Sequence, residues 1–264
     1  MAPRASVDGA WDRGLTTLSD QWNVAHRSER RRGVKDVSAR MCTIPFEVEP
    51  FRLSGVVYGT LLNHRSALAE VGAKASEPPY RGAPRAPVLY IKPRNTLALS
   101  GDAVEIPAGM GELEVGACLG MVIGRTACRV PEAHALAHVA GYLLVNDVSV
   151  PHDTFYRPSI RFKARDGFCP LGPAVVPCDS VADPGALCLR TLVDGVLVQT
   201  SSTAELVRSA ARLLADVTEF MTLSPGDVLA LGVARPAPRV RAGQRVDIVA
   251  DALGCLSNEF VAAR

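Results

Sequence analysis

From residue 56 onward the chain is cut into short runs of β-branched and aliphatic residues separated by turn-forming residues. The runs fall at 56–62, 87–91, 115–123, 142–150, 187–193, 196–200, 228–233 and 245–249. Runs of this length, bounded by Gly, Pro, Asn and Asp, read as strands that must pair with one another to satisfy their backbone groups. Asp194-Gly195 lies between two of them. A two-residue hairpin turn needs positive φ at both central positions, and glycine supplies it without steric cost.

One long helix stands against this. Ser202 and Glu205 have capping-box spacing ahead of apolar Leu206, Ala210, Leu213, Leu214, Val217 and Met221, which recur on one helical face. Shorter helices are expected after Asn63 and after Pro131, where a proline in the first turn loses no hydrogen bond. The predicted class is therefore mixed α+β, rich in strands. With 48% hydrophobic residues in 264, there is enough apolar material for one large core or two smaller ones.

Charge and cysteine content exclude several functions. Residues 1–40 carry eight Lys or Arg against five Asp or Glu, leaving 21 against 22 for the rest, so the folded part is nearly neutral and no nucleic-acid surface is expected. The first 41 residues lack helical or strand periodicity and read as a disordered extension, or as a start assigned upstream of Met41, ahead of a single domain at 42–264. Five acidic residues disfavour a transit peptide, and no apolar run suits a membrane span, so a cytoplasmic protein is expected. The seven cysteines, Cys42, Cys118, Cys128, Cys169, Cys178, Cys188 and Cys255, show neither CxxC nor Cys/His spacing, which argues against a disulfide framework and a zinc site. Cys118 and Cys169 read as packed small hydrophobes, because no histidine is spaced to activate either.

Residues 87–177 contain, in order, PVLYIKPRNTL, LGMVIGR, HVAGYLLVNDVS and FYRPSIRFKARDGFCPLGPAVVP. GTLLNHRSAL at 59–68 and EFMTLSPGDVLALG at 219–232 flank them. Together these resemble the fumarylacetoacetate hydrolase family over about 200 residues. The resemblance implies a twisted β-roll with peripheral helices and, in most members, a carboxylate-bound Mg²⁺. There the strand ending in Val-Ile-Gly carries Glu-x-Glu, and a third carboxylate follows on the next strand. Side chains two apart on a strand share a face, and paired carboxylates are the hard oxygen ligands that Mg²⁺ takes.

Here those two positions hold Gly116 and Cys118, while Asp147 matches the third ligand, so the metal is expected to be absent or weakly held. Glu112 and Glu114 keep the spacing four residues earlier and read as an exposed strand entry. The same departure, with the FYRP segment, resembles one branch of the family. Its members isomerise 2-hydroxyhepta-2,4-diene-1,7-dioate and decarboxylate 5-oxopent-3-ene-1,2,5-tricarboxylate in aromatic catabolism, and their second half keeps Glu-x-Glu.

The resemblance assigns Lys163 to the active site, where it would hold a substrate carboxylate or an enolate oxygen. Strand alternation would put Arg161 and Arg165 on its face, with Arg157 nearby, as anchors for a polycarboxylate. Lys92, in a Lys-Pro motif, either closes the same pocket or forms a structural pair. His152 is a candidate proton shuttle. His64 and Thr203 are expected at the substrate, although the family's lid histidine falls on Ala67. Gly232-Val233-Ala234-Arg235-Pro236 replaces the family's Gly-Thr-Pro and removes a hydroxyl from the pocket edge. The expected activity is an isomerase or decarboxylase working through an enolate, in a homo-oligomer or beside a metal-binding homologous subunit. The alternatives are a catalytically silent scaffold of such a subunit and an acylpyruvate-type hydrolase.

Overall fold

The computed structural model describes residues 53, 56–78, 81–152 and 160–263. The expected extension at 1–41 and Arg157 lie outside the described residues. In chain order the strands are β1 (Val57–Leu61), β2 (Val88–Lys92), β3 (Leu97–Leu99), β4 (Ala103–Ile106), β5 (Leu113–Glu114), β6 (Ala117–Ile123) and β7 (Val139–Asn146). They continue with β8 (Cys169–Pro177), β9 (Cys188–Val193), β10 (Val196–Ser202), β11 (Val228–Ala230), β12 (Arg239–Val240), β13 (Arg245–Ala250) and β14 (Gly254–Ala262). A mixed sheet runs β2-β1-β11-β6-β7-β8-β3, a second runs β10-β9-β13-β14-β4, and β5 pairs with β12. Among the described residues the helices are short: α1 (Arg65–Val71), α2 (Ile160–Lys163) and α3 (Ala210–Thr218). Among the described residues no helix is long and apolar enough to cross a membrane.

The larger sheet is held by β6, which is buried along its whole length. Ala117, Leu119, Met121 and Ile123 face the main core, where they meet Leu213, Leu214 and Val217 of α3. Cys118 and Val122 face a second cluster with Leu143, Val145 and Val228. A strand covered on both faces reads as a continuous apolar run rather than an alternating one, and 115–123 reads that way.

The hairpin forms as expected, with Asp194 at φ 51° and Gly195 at φ 79° joining β9 to β10. The long helix does not. Ser202 caps only a 3₁₀ turn at Thr203–Glu205, and α3 starts afresh at Ser209, whose side chain accepts from Arg212 N. Between them the chain is claimed by a distant partner. Asn63 Oδ1 accepts from Arg208 N at 2.9 Å, Asn63 O accepts from Val207 N at 2.8 Å, and Leu206 bridges to His64. These bonds replace the ones that helical continuation would have made. The run at 115–123 is also broken, since Val115 and Gly116 separate β5 from β6.

Candidate active site

β1 and β2 are paired so that Gly59 lies opposite Tyr90. A Cβ at Gly59 would fall 2.0 Å from the Tyr90 ring, so glycine is what allows the ring to lie across β1. The Tyr90 hydroxyl then donates to Asp147 Oδ2. Asp147 follows β7 directly and is fixed by its own N–H on Gly116 O at 2.9 Å. Two residues on, Ser149 exchanges both backbone hydrogen bonds with Glu114, at 2.8 and 3.0 Å.

Two lysines complete the cluster. Lys163 Nζ donates to Asp147 Oδ2 at 2.7 Å and to Ser149 Oγ at 2.8 Å, and lies 4.4 Å from the centroid of the Tyr90 ring. Lys92 Nζ lies 2.9 Å from Asp147 Oδ1, but its protons go to the carbonyls of Val148, Lys163 and Phe168 at 2.6, 2.7 and 2.8 Å. Lys92 is 1% exposed, and Asp147 and Lys163 are each 6% exposed. Lys92 thus ties the end of β7, α2 and the start of β8 around one carboxylate. This is the structural pairing, since Lys92 does not line the cleft.

Burial alone pushes the Asp147 carboxyl up, but the charges of Lys163 and Lys92, with hydrogen bonds from Lys163 and Tyr90, hold it well below the usual carboxylate range. Burial pushes Lys92 down from its ordinary value, with Asp147 opposing the shift. Burial and then Asp147 drive the Tyr90 phenol well above its usual value, so it stays a proton donor. With both lysines protonated, the cluster carries one net positive charge. An ammonium has three protons to give. Lys163 spends two, and the third has no partner among the described residues.

Lys163 lines a cleft that is walled also by Thr60, Leu62, Tyr90, Asp147 and Ser149, among others. At its outer end, an adjoining space is lined by Pro151, His152, Arg235, Pro236 and Arg239. His152 borders both spaces and packs on Phe162, with ring centroids 5.1 Å apart and neither ring nitrogen partnered among the described residues.

Other expected residues lie elsewhere. Arg161, Lys163 and Arg165 do not share a strand face: Arg161 and Lys163 belong to α2, Arg165 follows it, and a helical turn sends only Lys163 inward. Arg161 is exposed, Arg165 Nε donates to Arg161 O, and neither lines the cleft. His64 and Thr203 sit together in a separate recess with Cys118 and Gly232. His64 caps α1 by accepting from Ser66 N, and the Thr203 hydroxyl accepts from Leu187 N, so both are used structurally. Cys118 is packed as expected: its Sγ accepts from Gly232 N, and burial pushes its thiol up to about 12.

Glu114 is not an exposed strand entry. It is 7% exposed, and its Oε2 accepts from Arg235 Nη1 at 2.7 Å. Five residues of the site were not singled out for it from the sequence: Tyr90, Ser149, Glu114, Arg235 and Glu70. Tyr90 sits in the PVLYIKP motif facing Gly59, a pairing visible only once the strand register is known.

These residues do not fit a divalent metal. A Cβ on Gly116 would lie 2.8 Å from the Val233 methyls and 3.0 Å from Asp147 O, so a glutamate could not enter there without moving its neighbours. The one matching carboxylate already faces two ammonium groups, whose charge repels a cation. Among the described residues no three His, Cys, Asp or Glu side chains cluster as ligands.

The family model for the fumarylacetoacetate (FAA) hydrolase C-terminal domain matches residues 56–261. A 4-hydroxyphenylacetate degradation bifunctional isomerase/decarboxylase of Salmonella dublin is 41% identical over 210 residues, which cover 80% of this chain and 48% of that protein. The chain thus spans about half the length of the curated relatives it matches first. Among solved structures, a 5-carboxymethyl-2-hydroxymuconate delta-isomerase from Mycobacterium smegmatis superposes with TM-score 0.67 at 30% identity, covering 81% of each chain. A maleylpyruvate hydrolase from Sphingobium sp. SYK-6, in complex with manganese(II) ion and pyruvate, superposes with TM-score 0.64 at 28% identity, covering 79% of this chain and 71% of its own.

Proposed function

Since the chain belongs to the fumarylacetoacetate hydrolase family, we propose that it is an isomerase or decarboxylase that stabilises an enolate of a small 2-oxo or 2-hydroxy dioic acid, using Lys163 where relatives use a metal. The observation that carries this reading is the uncommitted third proton of the buried Lys163 ammonium at the cleft wall. A positive donor fixed in a water-poor site stabilises a developing oxyanion far more than the same group in water. Asp147, Ser149 and Lys92 hold that donor before substrate arrives, so no reorganisation is needed when charge appears.

For 2-hydroxyhepta-2,4-diene-1,7-dioate, the 2-hydroxyl gives its proton to solvent, the O–H electron pair moves through the diene, and a proton that His152 takes from solvent is added at C5, so one proton leaves and one enters. The products of the electron shift are the C2 carbonyl and a C3–C4 double bond. Lys163, with the Ser149 hydroxyl, holds the oxygen that gains charge, and His152 delivers the proton. For a 5-oxo tricarboxylate the bond to CO₂ breaks instead, and its electron pair enters the same enolate. The names borne by the relative and by the mycobacterial neighbour support this substrate class.

The test is Lys163→Met, assayed by loss of dienol absorbance. Removal of one oxyanion donor costs about 10²–10³ in kcat, so turnover is expected to fall by that factor while the unfolding transition stays cooperative. Undiminished turnover would remove Lys163 from the reaction. A second reading is a subunit that supports a metal-competent homologue, which Gly116 and Cys118 favour, as does the half-length match. On that reading the isolated chain is silent and activity returns only with the partner. A cytoplasmic location is proposed on either reading.

A further inference from the structure

The neck of the cleft holds an arginine shared between two glutamates. Arg235 Nε donates to Glu70 Oε2 at 2.8 Å, and its Nη1 donates to Glu114 Oε2 at 2.7 Å. Glu70 stands on α1 and its side chain is 39% exposed, whereas that of Glu114 stands on β5 and is 9% exposed. Arg235 is itself anchored, its backbone N–H donating to Ser66 Oγ at 2.8 Å. Glu70, Glu114 and Arg235 all border both the inner cleft and the outer space.

The two glutamates are not equivalent. Glu114 holds the guanidinium from below and is itself fixed by the backbone pairing to Ser149 and a longer contact from Arg239 at 3.8 Å. Glu70 takes only Nε, with one oxygen, and Nη2 has no partner among the described residues. The side of a guanidinium formed by Nε and Nη2 is one of the two that accept a carboxylate through paired hydrogen bonds. A carboxylate that displaced Glu70 there would gain two bonds where Glu70 makes one.

We infer that Arg235 is the specificity residue for the far carboxylate of a dioic substrate, and that Glu70 occupies its place until the substrate arrives. This rests on the reading that Lys163 holds the 2-oxo end. Glu114 keeps the guanidinium aimed and neutralised while the ligand exchanges with Glu70. A monocarboxylic analogue has nothing to exchange and leaves the Arg235–Glu70 pair intact.

Titration calorimetry with 2-oxohexanedioate and 2-oxohexanoate tests this, since the two differ only in the terminal carboxylate. Wild-type protein is expected to favour the dioic acid by about tenfold or more, the worth of one charged hydrogen-bonded pair. Arg235→Met is expected to erase that preference and keep monoacid affinity, Arg235→Lys to retain part of it, and Glu70→Gln to enlarge it several-fold. An unchanged preference in Arg235→Met, or a smaller one in Glu70→Gln, overturns the inference. If Lys163→Met abolishes monoacid binding while Arg235→Met leaves the preference intact, Arg235 is excluded and the Lys163 reading stands. If wild-type protein binds neither acid, both fall. Because the readout is a ratio, loss of fold cannot imitate it.

Discussion

The floor and the neck of the cleft are both clusters of lysine or arginine with carboxylates, yet they are built on opposite terms. At the floor, Lys92, Lys163 and Asp147 are almost wholly buried, and every proton of Lys92 is committed to a backbone carbonyl. At the neck, Arg235 and Glu70 side chains are 23% and 39% exposed, and the pair can open without stranding a charge away from water. Buried ions must stay paired because water cannot replace a lost partner, while partly exposed ions exchange partners cheaply. The floor therefore suits a fixed electrostatic task, and the neck suits selection.

The largest effect is expected where the comparison is sharpest. Lys92→Met removes the ammonium that gathers three carbonyls and half-neutralises Asp147, and breaking such a buried pair costs about 3–5 kcal/mol. Denaturant unfolding measures it; a loss below about 1 kcal/mol would mean that the floor is no more committed than the neck. The kinetic effect of Lys163→Met comes next, and in that variant activity is expected to fall further than stability.

Acid separates the two regions in a different way. The Asp147 carboxyl titrates below its unfolded value, which lies near ~3.9. Its stabilisation is present above that value and disappears as pH falls toward the folded one. In Asp147→Asn the acid limb of the unfolding midpoint against pH is expected to flatten below about pH 4, while Glu70→Gln leaves it unchanged. Salt gives a smaller contrast. Raising ionic strength to about 1 M shortens the screening length to ~3 Å, so the preference for dioic over monocarboxylic ligands is expected to shrink while the Lys163-dependent rate persists.

The smallest effect belongs to the outer rim. Arg239, half exposed, pairs with the partly buried Glu112, and Arg239→Ala is expected to leave the unfolding midpoint almost unmoved. A clear shift would extend the committed region outward to the surface.

Legibility in the sequence followed the same divide. Strand runs, the Asp194-Gly195 turn, Lys163, Asp147 and the substitutions at Gly116 and Cys118 were readable because each is local or carried by a motif. Strand β14 was not, because its inward face includes Asn258, whose amide bonds Leu99 O and Asp102 O and breaks the apolar alternation. The helix expected from Ser202 failed for a similar reason: Asn63, 145 residues away from Arg208, supplies the bonds that end it. The arginine face at 161–165 failed because four residues chose a helical turn over a strand, which redirects side chains that alternation would have aligned. Arg235 and Glu70 meet only through the fold, and no spacing in the chain announces them.

On the proposed reading, the charge fixed at Lys163 does the work of a metal. Its most direct test is dienol turnover by the purified chain in excess EDTA, compared with turnover after Mg²⁺ is restored. The same rate is expected in both, well above the uncatalysed reaction. Turnover that vanishes in EDTA and returns with Mg²⁺ would contradict it.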